Sequence, residues 1–227
     1  PKISRVYPQK NLFSHVIGQI DDNNNGISGV ENFYDYELKS KKKPLKLTVD
    51  ANLQYLIRNE LILAEEIFKN KGSAAILMNI KNGEILSMVS LPDYDLNKRE
   101  KIVNVNFINR ATKAIYEMGS VFKTFTFAAG LNEGIIDVDT QFEDLEKKIK
   151  CGKDTIGEYD DEIPKDLTAE EILIRSGNIG SVRIGQKIGI DKYRSFLTKL
   201  GIIEKIEFDI EEVGQPLPIS WGKCKLA

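Results

Sequence analysis

The sequence predicts an α+β chain, helices arranged around a partial antiparallel sheet. Three patterns predict it. Apolar residues recur at Leu53, Leu56, Ile57, Leu61, Ala64 and Phe68 with a helical period. Two apolar stretches, Ser73 to Ile80 and Glu84 to Ser90, flank Asn82-Gly83, the usual signal of a two-residue hairpin turn. Further amphipathic stretches near the end of the chain close on glycines, Gly189 and Gly201.

Taken in order, residues 1 to 44 are rich in Gly, Asn and Asp, and Asp21 to Gly26 is a strong turn signal. Leu47 to Val49 reads as a short strand or an extended entry, and Asp50 is placed to cap a helix running from Ala51 to about Lys69. The hairpin strands are apolar on both sides, which predicts burial. A turn at Pro92-Asp93 leads through a loop to a helix near Phe107 to Ala111. A helix from about Ser120 to Leu131 ends at Asn132 and Gly134. Thr168-Ala169-Glu170-Glu171 opens another with a capping-box pattern. Asn178 to Ile188 and Lys192 to Leu200 read as two more. Residues 137 to 166 are mixed and acidic and read as loop with short strands.

A chain of 227 residues suits one large domain or a small lobe joined to a larger one. Hydrophobic residues at 41% and charged residues at 29% describe a globular protein rather than a disordered one. A net charge of −2 leaves no nucleic-acid footprint, and the basic run Lys39 to Pro44 reads as a solvated linker. Cys151 and Cys224 sit in no metal-like spacing; they could pair in an oxidising compartment, but the chain is too large to depend on a disulfide, and two free thiols are the expectation. No apolar run approaches the roughly 18 to 20 residues that span a bilayer.

The chemistry concentrates in Tyr116-Glu117-Met118-Gly119-Ser120-Val121-Phe122-Lys123. On a helix, Ser120 and Lys123 lie on one face, so the lysine amine can reach the serine hydroxyl. A lysine partly stripped of water gives up its proton more easily and can then take one from serine. Gly119 allows a sharp turn, and the Ser120 amide at the helix start is free to face a developing oxyanion. On an exposed helix the same pair is only an N-cap serine and a solvated lysine. Ser176-Gly177-Asn178 adds a hydroxyl and an amide at the junction of two apolar stretches, an ordinary loop or two groups facing one cleft. His15 is the only histidine and lies far in sequence from Ser120, so a Ser-His-Asp mechanism lacks its base.

These motifs resemble the penicillin-binding transpeptidases, which combine Ser-x-x-Lys, Ser-x-Asn and Lys-Thr-Gly. Asn109-Arg110-Ala111 with Tyr116 to Lys123 is similar to the nucleophile block of the class B enzymes, especially the septal type. Leu47 to Gln54 resembles the opening of their transpeptidase domain, and Asn82 to Asn97 the hairpin and loop before the nucleophile. Arg5 to Pro8, His15 to Gly18 and Gly26 to Glu31 resemble the end of the non-catalytic pedestal. The resemblance implies a pedestal remnant at 1–44 and the N-terminal part of the transpeptidase domain at 45–227. It implies Ser120, Lys123, Ser176 and Asn178 as catalytic residues, with Ser176 and Asn178 also binding substrate, and Glu117 as an outer support, although by itself Glu117 reads as a surface glutamate. It implies D,D-transpeptidation of peptidoglycan stem peptides through a serine acyl-enzyme, acylation by β-lactams, and no cofactor or metal. It further implies glycan polymerase and division proteins as partners, at the periplasmic face of the inner membrane, with any anchor upstream of Pro1.

The chain departs from the resemblance in one respect, since no Lys-Ser/Thr-Gly follows Ser176. Lys81-Asn82-Gly83 precedes the nucleophile and is no substitute. The chain begins without Met and ends at Ala227, soon after Gly214 to Trp221, so both ends are expected to be cut. The missing strand would supply the second oxyanion amide and part of the sheet, so the 227 residues alone are expected to be inactive and to leave a strand edge open. A β-lactam hydrolase or carboxypeptidase would share the acylation step. A non-catalytic division scaffold would share only the fold.

Overall fold

Residues 5–40, 43–98 and 104–210 are described in a computed structural model of the chain. Lys41 and Lys42 of the basic run, Gly214 to Trp221 and Cys224 lie outside the described residues. The chain separates into two units, Pro1–Ile115 with Ile206–Gln215 and Tyr116–Lys205 with Pro216–Ala227.

In the first unit α1 (Ser14–Ile17), α2 (Gly29–Phe33) and α3 (Asp35–Ser40) precede the long helix α4 (Ala51–Phe68). The predicted turn forms because Asp21 Oδ1 accepts the amides of Asn23 and Asn25, each at 2.8 Å. His15 is buried, its Nε2 2.7 Å from the Asn106 carbonyl, and burial lowers its pKa. Asp50 caps α4 as expected, accepting from Asn52 at 2.8 Å and Leu53 at 3.0 Å. Leu47 to Val49 stays outside any strand. The apolar stripe of α4 is less buried than its period predicts. Leu56 and Phe68 are exposed, and the buried residue of the helix is Gln54.

Strands β1 (Ser73–Met78) and β2 (Ile85–Leu91) form the expected antiparallel hairpin. Only β2 is buried; the second half of β1 is exposed, contrary to the expectation for both. The connection is also longer than an Asn-Gly turn. Asn79 N donates to Glu84 O at 2.9 Å, and residues 80–83 loop between them, with an irregular register between Leu77 and Met78. The side chains explain the widening, because Asn79 Oδ1 takes the Lys81 amide at 3.0 Å and Asn82 Oδ1 that of Glu84 at 3.1 Å.

The outer edge of β2 is closed by α4. Gln54 Oε1 accepts from Met88 N at 2.9 Å and Ser87 Oγ at 2.7 Å, while its Nε2 donates to Met88 O at 2.7 Å and Leu12 O at 3.0 Å. The amide thus stands in for a strand residue, and Asp50 N continues the edge onto Leu86 O at 2.8 Å. Beyond β1, no further strand pairs among the described residues. The helix expected at Phe107 to Ala111 is absent. A short 3₁₀ helix covers Asn104–Phe107, and a turn follows in which buried Asn109 takes the Ala111 amide on its own side chain at 3.1 Å.

In the second unit a 3₁₀ helix, Gly119–Phe122, runs straight into α5 (Lys123–Asn132). The acidic stretch holds the short strands β3 (Gln141–Phe142), β4 (Lys148–Cys151) and β5 (Asp154–Gly157), followed by β6 (Leu167–Thr168). Strand β3 pairs with β6 and β4 with β5, both antiparallel. Cys151 is disulfide-bonded, which corrects the expectation of a free thiol. Helices α6 (Ala169–Ile174), α7 (Asn178–Ile188) and α8 (Ile190–Lys199) complete the unit. The capping box of α6 forms in full: Thr168 Oγ1 takes the Glu171 amide at 3.1 Å and Glu171 Oε2 that of Thr168 at 2.9 Å. Ile172, Ile179 and Ile184, each 0% exposed, anchor the core, and each contributes about 1.5–3 kcal/mol by burial. A Cβ at Gly180 would lie 2.6 Å from Ile172 Cγ2, so glycine there lets α7 close onto α6. Across α5 and α8, Thr126 Oγ1 and the Tyr193 hydroxyl meet at 2.9 Å in the interior.

Two stability measurements follow. Gln54→Ala strips partners from both backbone groups of Met88 and is expected to cost about 2–4 kcal/mol, read as a lower urea midpoint. Ser176 has φ of 53°, a left-handed conformation that a Cβ disfavours. Removing its hydroxyl as Ser176→Gly should therefore leave the chain about 1 kcal/mol more stable than removing it as Ser176→Ala.

Candidate active site

The second unit assembles the site around one buried amine. Lys123 is the first residue of α5 and 7% exposed, on the helix face it shares with Thr126, Phe127, Ala129 and Gly130. Its Nζ donates to Asn178 Oδ1 at 2.6 Å, to the Ser176 carbonyl at 2.6 Å and to Ser176 Oγ at 3.2 Å. Three acceptors match the three N–H bonds of an ammonium. The two sequence motifs are therefore one site, joined through Lys123.

Ser120 sits one turn earlier, in the 3₁₀ segment where residues three apart stack over each other. Its carbonyl accepts the Lys123 amide, so both residues belong to one continuous right-handed turn. The serine is exposed. Among the described residues the lysine's hydrogen bonds go to Ser176 and Asn178 rather than to Ser120, which differs from the direct pair expected. The reason is reach: a long side chain on this face meets the Ser176–Asn178 turn, whose oxygens satisfy a desolvated charge better than one hydroxyl. Gly119 has φ of 55° with nothing within 4 Å of the place of its missing Cβ, so backbone conformation and not crowding calls for glycine there. The Ser120 amide lies in the first turn, where helix geometry provides no internal acceptor.

Burial lowers the Lys123 pKa below the ordinary lysine range, and the negative charge of Glu158 opposes that shift. Glu158, which the motifs do not include, follows β5 and reaches the start of α7. Its Oε2 accepts the Asn178 amide at 2.7 Å and its Oε1 the Ile179 amide at 2.8 Å. Gly157 O accepts from Asn178 Nδ2 at 2.8 Å, which turns Asn178 Oδ1 toward the lysine. The sequence carries one indirect signal of this arrangement: a helix opening on Gly177 has no side chain to cap it, so its amides need an acceptor from elsewhere. Glu117, expected as an outer support, is exposed.

Residues 73–225 match the family "Penicillin binding protein transpeptidase domain". The chain is 32% identical over 98% of its length to a probable peptidoglycan D,D-transpeptidase FtsI of Caulobacter vibrioides, of which it spans 38%. It is 31% identical over 92% of its length to stage V sporulation protein D of Bacillus subtilis, spanning 37% of that protein. It thus covers less than two fifths of either of these relatives. In fold it resembles penicillin binding protein 3 of Mycobacterium tuberculosis, with a TM-score of 0.83 at 22% identity over 98% of this chain and 53% of the other. The latter protein has also been solved with ampicillin. The fold is that of a partial penicillin-binding transpeptidase domain, and the chain belongs to the penicillin-binding protein transpeptidase family, on its class B side.

Proposed function

We propose that the protein containing this chain is a serine D,D-transpeptidase that cross-links peptidoglycan stem peptides in septal wall synthesis. The observation that carries the reading is the buried Lys123 amine, which ties the Ser120 turn to Ser176 and Asn178 within one unit. Ser120 Oγ attacks the penultimate D-alanine carbonyl as neutral Lys123 takes its proton, forming a tetrahedral oxyanion that the Ser120 amide helps to stabilise. Collapse breaks the peptide bond, and the terminal D-alanine leaves with a proton passed back through Lys123 and the Ser176 hydroxyl. An amine of a second stem peptide then attacks the acyl-enzyme and gives up a proton to Lys123, which passes it to Ser120 Oγ as the ester bond breaks. Asn178 holds the lysine and offers its amide surroundings to the donor peptide. A β-lactam is opened by the same attack and stays attached as an ester.

The same reading covers the surroundings. Residues 1–44 are the end of a pedestal, and 45–227 begin the transpeptidase domain. The protein works at the periplasmic face of the inner membrane with a glycan polymerase and other division proteins. Among the described residues no helix is long and apolar enough to cross a membrane. The disulfide at Cys151 fits an oxidising compartment.

A fluorescent penicillin tests the reading on the full-length protein. Covalent labelling should vanish in Ser120→Ala, and Lys123→Ala should slow it by about 10²–10⁴-fold. Because burial favours the neutral amine, the labelling rate should rise with pH through a limb below the ordinary lysine range and level off once Lys123 is deprotonated. Labelling that persists in Ser120→Ala, or a limb at the ordinary lysine position, sinks the assignment.

A further inference from the structure

Helix α7 begins without a cap of its own, since Gly177 offers no side chain and the first two amides of the helix belong to Asn178 and Ile179. Both end on one carboxylate, that of Glu158, at 2.7 and 2.8 Å. Charge-assisted bonds from helix-start amides to a carboxylate are strong and directional, and the helix dipole adds to them. The adjacent Gly157 carbonyl fixes the other end of Asn178 through Nδ2 at 2.8 Å. Two consecutive residues after a short hairpin therefore set both the backbone and the side chain of Asn178. The left-handed φ of 53° at Ser176 lies in the same turn and persists only where surrounding structure enforces it.

We propose that Glu158 is a positioning residue of the acylation site, holding the Ser176–Asn178 turn so that its oxygens stay on Lys123. No ion pair joins Glu158 to Lys123, so it acts on the lysine through the turn and through its field. Its negative charge opposes the effect of burial on the amine. The other groups facing the amine are neutral: Ser176 from the turn after α6 and Asn178 from α7. Tyr193 of α8 is buried against Thr126 and is raised by burial, which keeps it neutral as well.

The inference rests on Ser120 being the acylated residue, and its test separates the two. In the full-length protein the second-order rate of acylation by a fluorescent penicillin is followed across the pH range in which the fold is stable. Glu158→Gln keeps the size of the side chain but offers one acceptor where two amides need one each, and it removes the charge. Its plateau should fall about 10- to 100-fold through misplacement of the turn. Its acid limb should move to lower pH, because the ammonium has lost the charge that favoured it. Glu158→Asp retains the charge, so it should lower the plateau while leaving the limb in place. A Glu158→Gln profile that superimposes on the wild type overturns the proposal, as does a lowered plateau with an unmoved limb, the result expected of a purely structural cap. If Glu158→Gln does not fold, Glu158→Asp decides: a wild-type plateau or a displaced limb overturns the proposal. Labelling that survives Ser120→Ala in the same series overturns the assignment of Ser120 instead, whereas labelling lost there with Glu158→Gln at wild-type rates overturns only the role of Glu158.

Discussion

A buried ammonium needs an oxygen for each of its protons, and in this protein that requirement organises the second unit. Lys123 lies on the interior face of α5, and its three donors end on Ser176 and Asn178. To bring those oxygens within reach, the chain between α6 and α7 turns through a left-handed serine, and α7 packs against α6 closely enough to need glycine at 180. The core beneath is built on Ile172, Ile179 and Ile184. Removing the lysine would leave a strained turn with nothing to converge on. Removing the turn would strand a desolvated charge, which costs more than either motif contributes alone.

Sequence reasoning reaches those parts of this arrangement whose cause is local. Asp50, Thr168 with Glu171, and the Asp21 turn are caps and turns made by neighbours in sequence, and each forms as its pattern predicts. The four candidate site residues are legible for a related reason, since Ser120 and Lys123 are one turn apart and Ser176 and Asn178 flank one glycine. Which way the lysine points is another matter. It is set by acceptors more than fifty residues away along the chain, at separations of 53 and 55, and no local pattern reports them. Glu158 is hidden for the same cause, in a stretch whose short strands are held by pairing and not by any periodic apolar face.

The first unit shows the converse failure, where a clear local signal is overruled. The apolar period of α4 correctly gives a helix, yet the residue at the centre of its buried face is Gln54, polar and 1% exposed. An amide can do there what no leucine could, because β2 has an outer edge whose backbone groups would otherwise be buried without partners. The Asn82-Gly83 signal is overruled by the side chains of Asn79 and Asn82, which bind nearby amides and open the turn into a wider loop. In both cases backbone satisfaction prevails over hydrophobic pattern and turn preference.

The geometry of the amine also constrains the order of proton movement. As arranged, all three donors of an ammonium are in use, and the bond to Ser176 Oγ, at 3.2 Å, is the longest of them. Loss of one proton would leave Nζ with two donors, which the Ser176 carbonyl and Asn178 Oδ1 at 2.6 Å hold most tightly, and a lone pair free on the side that had faced a hydroxyl. The neutral amine is thus anchored by two bonds while its basic position is offered to an O–H. Ser176 can fill that position at rest, and under the proposed acylation Ser120, exposed one turn away, fills it during attack. One lysine can then serve both hydroxyls in succession without moving its anchor, provided that the turn carrying those anchoring oxygens does not shift as the proton passes.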